Sequence, residues 1–257
     1  MSILLSMQGQ VALVTGGTRG IGRAIAQTYA EAGARLIISS ENNQDCQQTV
    51  LWLNAQGFEA VGIQADLSDR SQVLALGQTA TTVFDRIDVL VCNAGIAPHS
   101  GPLAEASDSQ WQATFEVNLR SAVLLTNALI PHIAKQGGGS VVLLSSIAGI
   151  RGNKALGLYG LSKAALSQLA RNLAVEWGPN NVRVNAISPG VIQTDFARPL
   201  TDDACVLQKR LALTPLRRVG TPEEVAAVAL LLASPGGAFI TGQNLVVDGG
   251  TTISDGN

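Results

Sequence analysis

Three side chains in the second half of the sequence have the types and the spacing of a proton-transfer site. Tyr159 and Lys163 are four residues apart in a helical pattern, and residues at this spacing share one face of a helix. A phenol titrates near pH ~10, and a neighbouring positive charge favours the phenolate. We therefore expect Lys163 to lower the pKa of Tyr159 and make it a general acid/base near neutral pH. Ser146, thirteen residues before Tyr159, ends an apolar run and would donate a hydrogen bond to a substrate oxygen.

A glycine-rich turn near the beginning of the sequence suggests the partner of this proton transfer, a hydride carrier. The apolar run Val11–Thr15 is typical of a buried strand, and Gly16, Gly20 and Gly22 follow it. A helical pattern begins near Gly20, and this context lets backbone N–H groups and a helix N-terminus bind a pyrophosphate. The spacing differs from the better-known Gly-x-Gly-x-x-Gly pattern. We predict a dinucleotide-binding turn; the alternative is a turn that only reverses the chain.

Eight motifs, in order along nearly the whole chain, resemble those of the short-chain dehydrogenase/reductase family. The resemblance implies a Rossmann-type fold and an oxidoreductase that interconverts a ketone and a secondary alcohol by hydride transfer, with Tyr159 as general acid/base. The motifs are residues 15–22, Asp66-Leu67, Asn93-Ala94-Gly95, Asn118, Ser146, Tyr159 with Lys163, Pro189-Gly190 with Thr194, and Asp248-Gly249-Gly250.

The resemblance also implies roles for individual residues. Lys163 would hydrogen-bond the nicotinamide ribose, and Asn118 would hold a water that links Lys163 to solvent. Asp66 would flank the adenine, although it also suits the cap of a helix beginning near Ser68. The implied cofactor-binding set is Gly16, Thr18, Arg19, Gly20, Ile21, Gly22, Ser40, Asp66, Leu67, Asn93, Ala94, Gly95, Tyr159, Lys163, Pro189, Gly190, Ile192 and Thr194.

The preference between NADP(H) and NAD(H) depends on three residues near the glycine turn. Ser40 occupies the position where NAD-preferring relatives carry Asp, and Arg19 is where NADP-preferring relatives place a base. Glu41, in contrast, stands where many NADP enzymes have Arg. These residues favour NADP(H), with NAD(H) as the alternative. A solvated surface pair is the competing interpretation of Arg19 and Glu41.

The candidate substrate pocket is mostly apolar, which suits a ketone or hydroxyl on a hydrophobic body better than a sugar or a polyphosphate. We expect residues 195–215 to form an irregular, mobile flap that closes over the substrate. We expect His99 to lie at the surface or the rim of the pocket rather than to act as a second acid. The substrate-binding candidates are Ser146, Ile147, Ala148, Leu156, Tyr159, Val191 and Phe196, with Leu200 also a possible lining residue.

Other functions of these residues are alternatives. The sequence resembles carbonyl and polyol reductases, but also 3-oxoacyl reductases that act on acyl carrier protein or CoA thioesters, and NAD-dependent secondary-alcohol dehydrogenases. Gly137 and Asn180 stand at two places where an acidic carrier protein would need basic docking residues. A non-catalytic dinucleotide-sensing regulator is an alternative of a different class, and the presence of both Tyr159 and Lys163 favours an enzyme.

Composition excludes several broad classes of protein. A net charge of -2 over 257 residues argues against a nucleic-acid surface. Cys46, Cys92 and Cys205 are sparse and odd in number, which suggests reduced thiols and a cytoplasmic protein. We expect no signal peptide, because the first residues lack basic side chains, and no membrane-spanning stretch. No His, Cys and carboxylate cluster has zinc spacing, so we expect no metal.

The elements that must position these residues alternate between short apolar runs and longer amphipathic ones. This alternation predicts a parallel sheet with helices on both faces, and ligands bind such sheets at the carboxyl ends of the strands. With the resemblance, it predicts a single doubly wound seven-stranded α/β domain over residues 1–257. The predicted strands are 11–15, 35–39, 60–64, 89–93, 140–145, 182–188 and 244–247, and the predicted helices are 20–32, 43–56, 68–84, 107–135, 158–177 and 222–233.

Two of the predicted helices bear on assembly. Helices 107–135 and 158–177 carry more apolar side chains than one sheet contact requires. The resemblance implies that they form a subunit interface, usually within a homotetramer. The alternative is that all of these side chains belong to the core of one subunit.

Overall fold

A seven-stranded parallel sheet forms the centre of the computed structural model, which describes residues 3–253. The strand order is β3-β2-β1-β4-β5-β6-β7, the doubly wound arrangement that the sequence predicts. Residues 1–2 and 254–257, the two ends of the predicted domain 1–257, lie outside the described part. The strands are β1 Val11–Thr15, β2 Arg35–Ser40, β3 Ala60–Gln64, β4 Val89–Cys92, β5 Gly139–Leu144, β6 Val182–Pro189 and β7 Asn244–Val247.

Helices cover both faces of this sheet. Every predicted strand is present, and its ends differ from the predicted ends by one residue or none. Within residues 3–253, no helix has the length and the apolar character that crossing a membrane requires. The helices are α1 Gly20–Glu31, α2 Asn43–Ala55, α3 Arg70–Ala80, α4 Asp108–Phe115, α5 Ser121–Lys135, α6 Gly157–Trp177, α7 Arg198–Thr201, α8 Ala204–Ala212 and α9 Pro222–Ala233.

The core consists of two apolar layers, one on each face of the sheet. All five residues of β1 are buried, and the first four alternate between the layers, because successive strand side chains point to opposite faces. One layer contains α1 and α9, and the other contains α3, α5 and α6. In the first layer the buried Tyr29 hydroxyl donates a 2.9 Å hydrogen bond to the Ala229 backbone oxygen and so joins α1 to α9 across 200 residues.

The predicted helix 107–135 is not continuous, which corrects the prediction. It consists of α4, a π-helical turn at Glu116–Arg120, and α5. Asn118 lies inside this turn and is buried. Single π-turns within longer helices are frequent at functional sites.

Two further corrections concern helix ends and the predicted flap. The helix predicted from residue 68 begins at Arg70, because Asp69, not Asp66, caps it by accepting hydrogen bonds from the backbone N–H groups of the first turn. The flap predicted to be irregular is largely helical. It contains α7 and α8, and Asp203 caps α8 in the same way as Asp69 caps α3.

The turn after β1 requires glycine at two positions. Gly16 has a φ of +60°, in the left-handed region that favours glycine. A Cβ on Gly22 would lie 2.1 Å from the Gly16 oxygen and 2.4 Å from Nδ2 of Asn93. The Asn93 amide donates hydrogen bonds of 3.0 and 3.1 Å to the oxygens of Thr15 and Gly16, so this contact also ties the turn to the end of β4.

We predict that Gly22→Ala destabilises the protein by about 1–3 kcal/mol, because the added methyl group overpacks the turn. It should also weaken dinucleotide binding at the turn. Chemical denaturation and a cofactor titration measure the two effects. Gly178→Ala is the matched control, because Gly178 has helical dihedral angles and open space around it. Equal stability of the two variants would contradict the prediction.

Candidate active site

A cavity of about 800 Å³ lies at the carboxyl ends of β1, β4, β5 and β6. It extends from Gly16 and Ile21 in the glycine turn to Tyr159 on α6. All the predicted substrate-binding residues line it. The predicted cofactor-binding residues in its wall are Gly16, Arg19, Gly20, Ile21, Asp66, Leu67, Asn93, Ala94, Gly95, Tyr159, Lys163, Pro189, Gly190, Ile192 and Thr194.

Four of the predicted residues do not line this cavity. Thr18 lines a smaller depression beside it, next to the exposed Arg19. The nearly buried Ser40 accepts a 3.4 Å hydrogen bond from the Asn42 backbone. Gly22 and Asn118 lie behind the wall, where they shape it without reaching its surface.

Tyr159 and Lys163 share one face of α6, as their spacing predicts. The Lys163 Nζ atom lies 5.5 Å from the centroid of the Tyr159 ring. It donates a 2.6 Å hydrogen bond to the Leu144 backbone oxygen at the end of β5, and only 3% of Lys163 is exposed. An ammonium group without such a partner would be costly to bury.

The protonation of the pair differs from the prediction. Burial raises the pKa of Tyr159 to about 12, and a hydrogen bond with the Ser146 side chain opposes this increase. Burial also lowers the pKa of Lys163 to about 8. The expectation of a lowered Tyr159 pKa is therefore wrong for this state, because burial raises the pKa of the phenol. Tyr159 is a neutral phenol at neutral pH and can donate a proton.

Asn118 connects the π-turn to two other walls of the site. Its Oδ1 atom accepts a 2.8 Å hydrogen bond from the Ile96 backbone, and its Nδ2 atom donates to the Ile96 oxygen at 2.9 Å. The same Nδ2 atom donates to Oγ of Ser162 at 3.0 Å. Asn118 thus fixes the loop after β4 against the residue that precedes Lys163 on α6.

A short network holds the ends of β1 and β4 together at the floor of the cavity. The Thr15 hydroxyl donates to the Val91 oxygen at 3.3 Å and accepts hydrogen bonds from the backbone N–H groups of Asn93 and Ala94. With the Asn93 amide on the glycine turn, these contacts fix the loop that carries Gly95.

Sequence reasoning missed the charged part of the pocket. Arg151, Asn153 and Arg210 line the cavity beside the predicted apolar residues. Arg151 is only five residues after Ser146, and this proximity in the sequence could have indicated that it lies near the site. Arg210 could be recognised as a pocket residue only if α8 had been predicted as a helix, and the sequence analysis predicted an irregular flap there.

His99 is the other correction in this region. It is buried, not at the surface, and its Nε2 atom lies 2.9 Å from the Pro102 oxygen. It is not among the residues that line the cavity.

The cavity wall fits a dinucleotide. A Cβ on Gly20 would lie 3.2 Å from Thr194, and one on Gly95 would lie 3.2 Å from Nζ of Lys163, so these glycines leave space beside the N-terminus of α1 and beside Lys163. Helix N-termini bind phosphate groups through their free N–H groups and dipole. Among residues 3–253, no group of three or more His, Cys, Asp or Glu side chains is arranged to hold a metal ion.

Comparisons with known proteins agree with this site. Residues 16–252 match the family profile described as Enoyl-(Acyl carrier protein) reductase. Dehydrogenase/reductase SDR family member 4 of Bos taurus is 38% identical over 245 residues, which cover 95% of this chain and 88% of that protein. The chain belongs to the short-chain dehydrogenase/reductase family. A tropinone reductase homolog of Arabidopsis thaliana is also 38% identical, over 97% of this chain and 96% of its own length.

Solved structures give the same result. A gluconate 5-dehydrogenase from Burkholderia cenocepacia, in complex with NADP and tartrate, matches with a TM-score of 0.94 and 30% identity over 98% of each chain. A 7α-hydroxysteroid dehydrogenase, complexed with NADH and 7-oxo glycochenodeoxycholic acid, matches with a TM-score of 0.93 and 34% identity over 97% of each chain. This short-chain dehydrogenase/reductase is therefore an NAD(P)-dependent oxidoreductase that interconverts a ketone and a secondary alcohol.

We predict that Asn118→Ala lowers both stability and turnover. The substitution leaves the backbone groups of Ile96 without their partner, and each unsatisfied buried group costs about 1–3 kcal/mol. Denaturant unfolding and steady-state kinetics measure the two effects. Asn172→Ala, at an exposed position on α6, is the control and should change the free energy of unfolding by less than about 0.5 kcal/mol. An Asn118→Ala protein as stable as this control would refute the role of the π-turn.

Proposed function

We propose that Tyr159 is the general acid/base of the reaction and that Ser146 and Lys163 assist it. The observation that carries this proposal is that Tyr159, Ser146 and Lys163 line the same cavity, with Nζ of Lys163 5.5 Å from the centroid of the Tyr159 ring. Residues of the glycine turn, together with Lys163 and Thr194, would hold the dinucleotide. A nicotinamide dinucleotide, when bound, supplies the hydride for reduction and takes it up in oxidation.

In reduction, the Tyr159 hydroxyl donates its proton to the carbonyl oxygen of the substrate. The Ser146 hydroxyl donates a hydrogen bond to the same oxygen, where negative charge develops. Lys163 stabilises the phenolate that remains, since an opposite charge nearby favours the ionised form. In oxidation, Tyr159 accepts the proton of the substrate hydroxyl. Its raised pKa keeps the phenol protonated at neutral pH, which is the form that reduction requires.

Tyr159→Phe should reduce kcat by about 10²–10⁴-fold, the usual contribution of general acid–base catalysis. Cofactor Kd should change little, because the phenol oxygen alone is removed. Steady-state kinetics and a fluorescence titration measure these quantities. Tyr29→Phe is the matched control, because Tyr29 is the other of the two tyrosines and lies in the core. It should lose stability and keep its kcat.

The pH profile tests the same assignment. The protonated phenol is active in reduction, so kcat/KM for reduction should be retained at neutral pH and fall as pH rises toward the Tyr159 pKa. The phenolate is active in oxidation, so kcat/KM for oxidation should rise with pH. Ser146→Ala should shift the fall of kcat/KM for reduction and the rise of kcat/KM for oxidation to higher pH, because the Ser146 hydrogen bond lowers the pKa of Tyr159. Opposite slopes, or full activity of Tyr159→Phe, would overturn the assignment.

The preferred cofactor is proposed to be NADP(H). Arg19 lines the cavity, and Ser40 replaces the carboxylate that would repel a 2′-phosphate. NAD(H) is the second candidate, because the Glu41 carboxylate also lines the cavity and lies 3.5 Å from the Arg19 guanidinium. Both partners of this ion pair are largely exposed, so an incoming phosphate can compete for Arg19.

We predict that Glu41→Gln raises kcat/KM with NADPH by about two- to fivefold and leaves the value with NADH nearly unchanged, because one exposed negative charge beside the phosphate is removed. Arg19→Gln should lower the NADPH value. Both cofactors are compared at one ketone concentration. A wild-type preference for NADH that Glu41→Gln abolishes would establish the NAD(H) alternative.

We also propose a homotetramer formed through residues 107–135 and 158–177. Trp111, Phe115, Leu119 and Val123 follow one another at intervals of four, and all are only half-buried in the single subunit. The Trp111 and Phe115 rings stack with centroids 5.6 Å apart, and Val175 on α6 is 82% exposed. Light scattering that gives the mass of one subunit would contradict this assembly.

A cytoplasmic location is proposed from the cysteines. Cys46, Cys92 and Cys205 are free thiols in the structure, and the first two are buried. Free thiols are typical of reducing compartments. Cell fractionation that recovers the protein outside the cytosol would refute this location.

A further inference from the structure

Arg210 occupies an unusual position on α8. The side of this helix that faces the protein carries the half-buried residues Val206, Leu207, Arg210 and Leu211, which follow the spacing of one helical face. Lys209, on the outer side, is exposed. Arg210 therefore lines the cavity from an otherwise apolar face, and its partial burial favours an anionic partner for the guanidinium.

The second arginine comes from a different segment of the chain. Arg151 follows the short helix Ile147–Gly149, directly after Ser146, and also lines the cavity. Burial and, secondarily, the positive charge of Arg151 lower the pKa of Arg210, so the two cations repel each other. Within the described residues, neither guanidinium lies within 4.0 Å of a carboxylate.

Among the described residues, none of the carboxylates in the cavity wall forms an ion pair with either of these cations. Glu41 pairs with Arg19, and Asp195 pairs with Arg198 at 2.7 Å. Oδ1 of Asp66 accepts hydrogen bonds from the backbone and the hydroxyl of Ser68. Within the described part of the chain, the two arginines therefore line the substrate pocket without a carboxylate partner.

Apolar side chains come from the same two segments. Leu156 lies in the segment of Arg151, and Phe196 and Leu200 lie in the segment of Arg210. The Phe196 ring lies 5.7 Å from the Tyr159 ring, so this apolar wall reaches the site of proton transfer. A ligand that satisfies the whole pocket has a carbonyl or hydroxyl group, an apolar body and an anionic group.

We propose that the substrate is an oxo acid or hydroxy acid whose carboxylate is bound by Arg151 and Arg210. This inference rests on the proposed function, because it places the reacting carbon beside Tyr159. Guanidinium groups bind carboxylates through paired hydrogen bonds, and such charge-assisted bonds are stronger than neutral ones. Because the arginines come from two separate segments, the carboxylate also holds α8 against the loop after Ser146.

The first test compares oxo acids with their methyl esters, using the cofactor that the wild-type enzyme prefers. The wild type should favour the acid in kcat/KM. Arg151→Gln and Arg210→Gln should each reduce kcat/KM for the acid by about ten- to a hundredfold, mainly through KM, and leave the ester nearly unchanged. Lys154→Gln and Lys209→Gln, which remove neighbouring exposed charges outside the cavity wall, should behave as wild type.

The outcomes separate this inference from the proposed function. If the wild type reduces the ketone group of the oxo acids and of their methyl esters with equal kcat/KM, the anion site is refuted and the proposed function stands. If the arginine variants lose acid and ester equally, the arginines are structural and the anion site is refuted. If no ketone or alcohol is converted at all, the proposed function fails.

A second measurement does not depend on turnover. Hexanoate should raise the Tm of the wild type by about 2 °C or more, and hexanamide, its neutral analogue, should raise it less. Both Lys→Gln controls should keep this difference, and Arg151→Gln with Arg210→Gln combined should lose it. Equal shifts for hexanoate and hexanamide in the wild type would overturn the proposal, and a larger shift with inorganic phosphate than with hexanoate would overturn the assignment of a carboxylate.

Discussion

The ammonium group of Lys163 is buried in the cavity wall, and its 2.6 Å hydrogen bond to the Leu144 oxygen fixes α6 against the end of β5. The Ser145 hydroxyl strengthens this junction by donating to the Lys163 backbone oxygen at 2.7 Å. Because the charge cannot leave this position without losing its partner, the helix has one register relative to the strand. That register places Tyr159 in the wall of the same cavity as Ser146, so the proposed proton-transfer pair depends on the buried Lys163.

The cavity has two walls of different construction. Buried strand ends and buried hydrogen bonds form the inner wall, and the Asn93 amide and the Asn118 amide each join two chain segments there. The outer wall comes from the segment after β6, in which no residue of α8 is fully buried. Such a division lets a fixed reaction centre serve different substrates, because the outer wall can change without disturbing the inner one.

Features encoded by neighbouring residues could be predicted from the sequence, and features that depend on distant ones could not. The seven strands and the glycine turn follow from local apolar runs and glycine spacing. The π-turn depends on the contacts of Asn118 with Ile96 and Ser162, which come from other parts of the chain. The prediction of a lowered Tyr159 pKa was wrong because the spacing of Lys163 indicates a nearby charge but not how deeply the phenol is buried. The place of Arg210 in the cavity wall could be recognised only once it was known which face of α8 packs against the protein.

The hydrogen bond from Tyr29 to Ala229 has a consequence for how the protein is made. The glycine turn and α1 leave the ribosome early, but the helix that covers α1 is synthesised about two hundred residues later. Until then the apolar side of α1 lacks its final neighbour, although the strands beside β1 are already complete. The packing of α1, which begins in the glycine turn, against α9 can therefore form only after most of the chain has been synthesised.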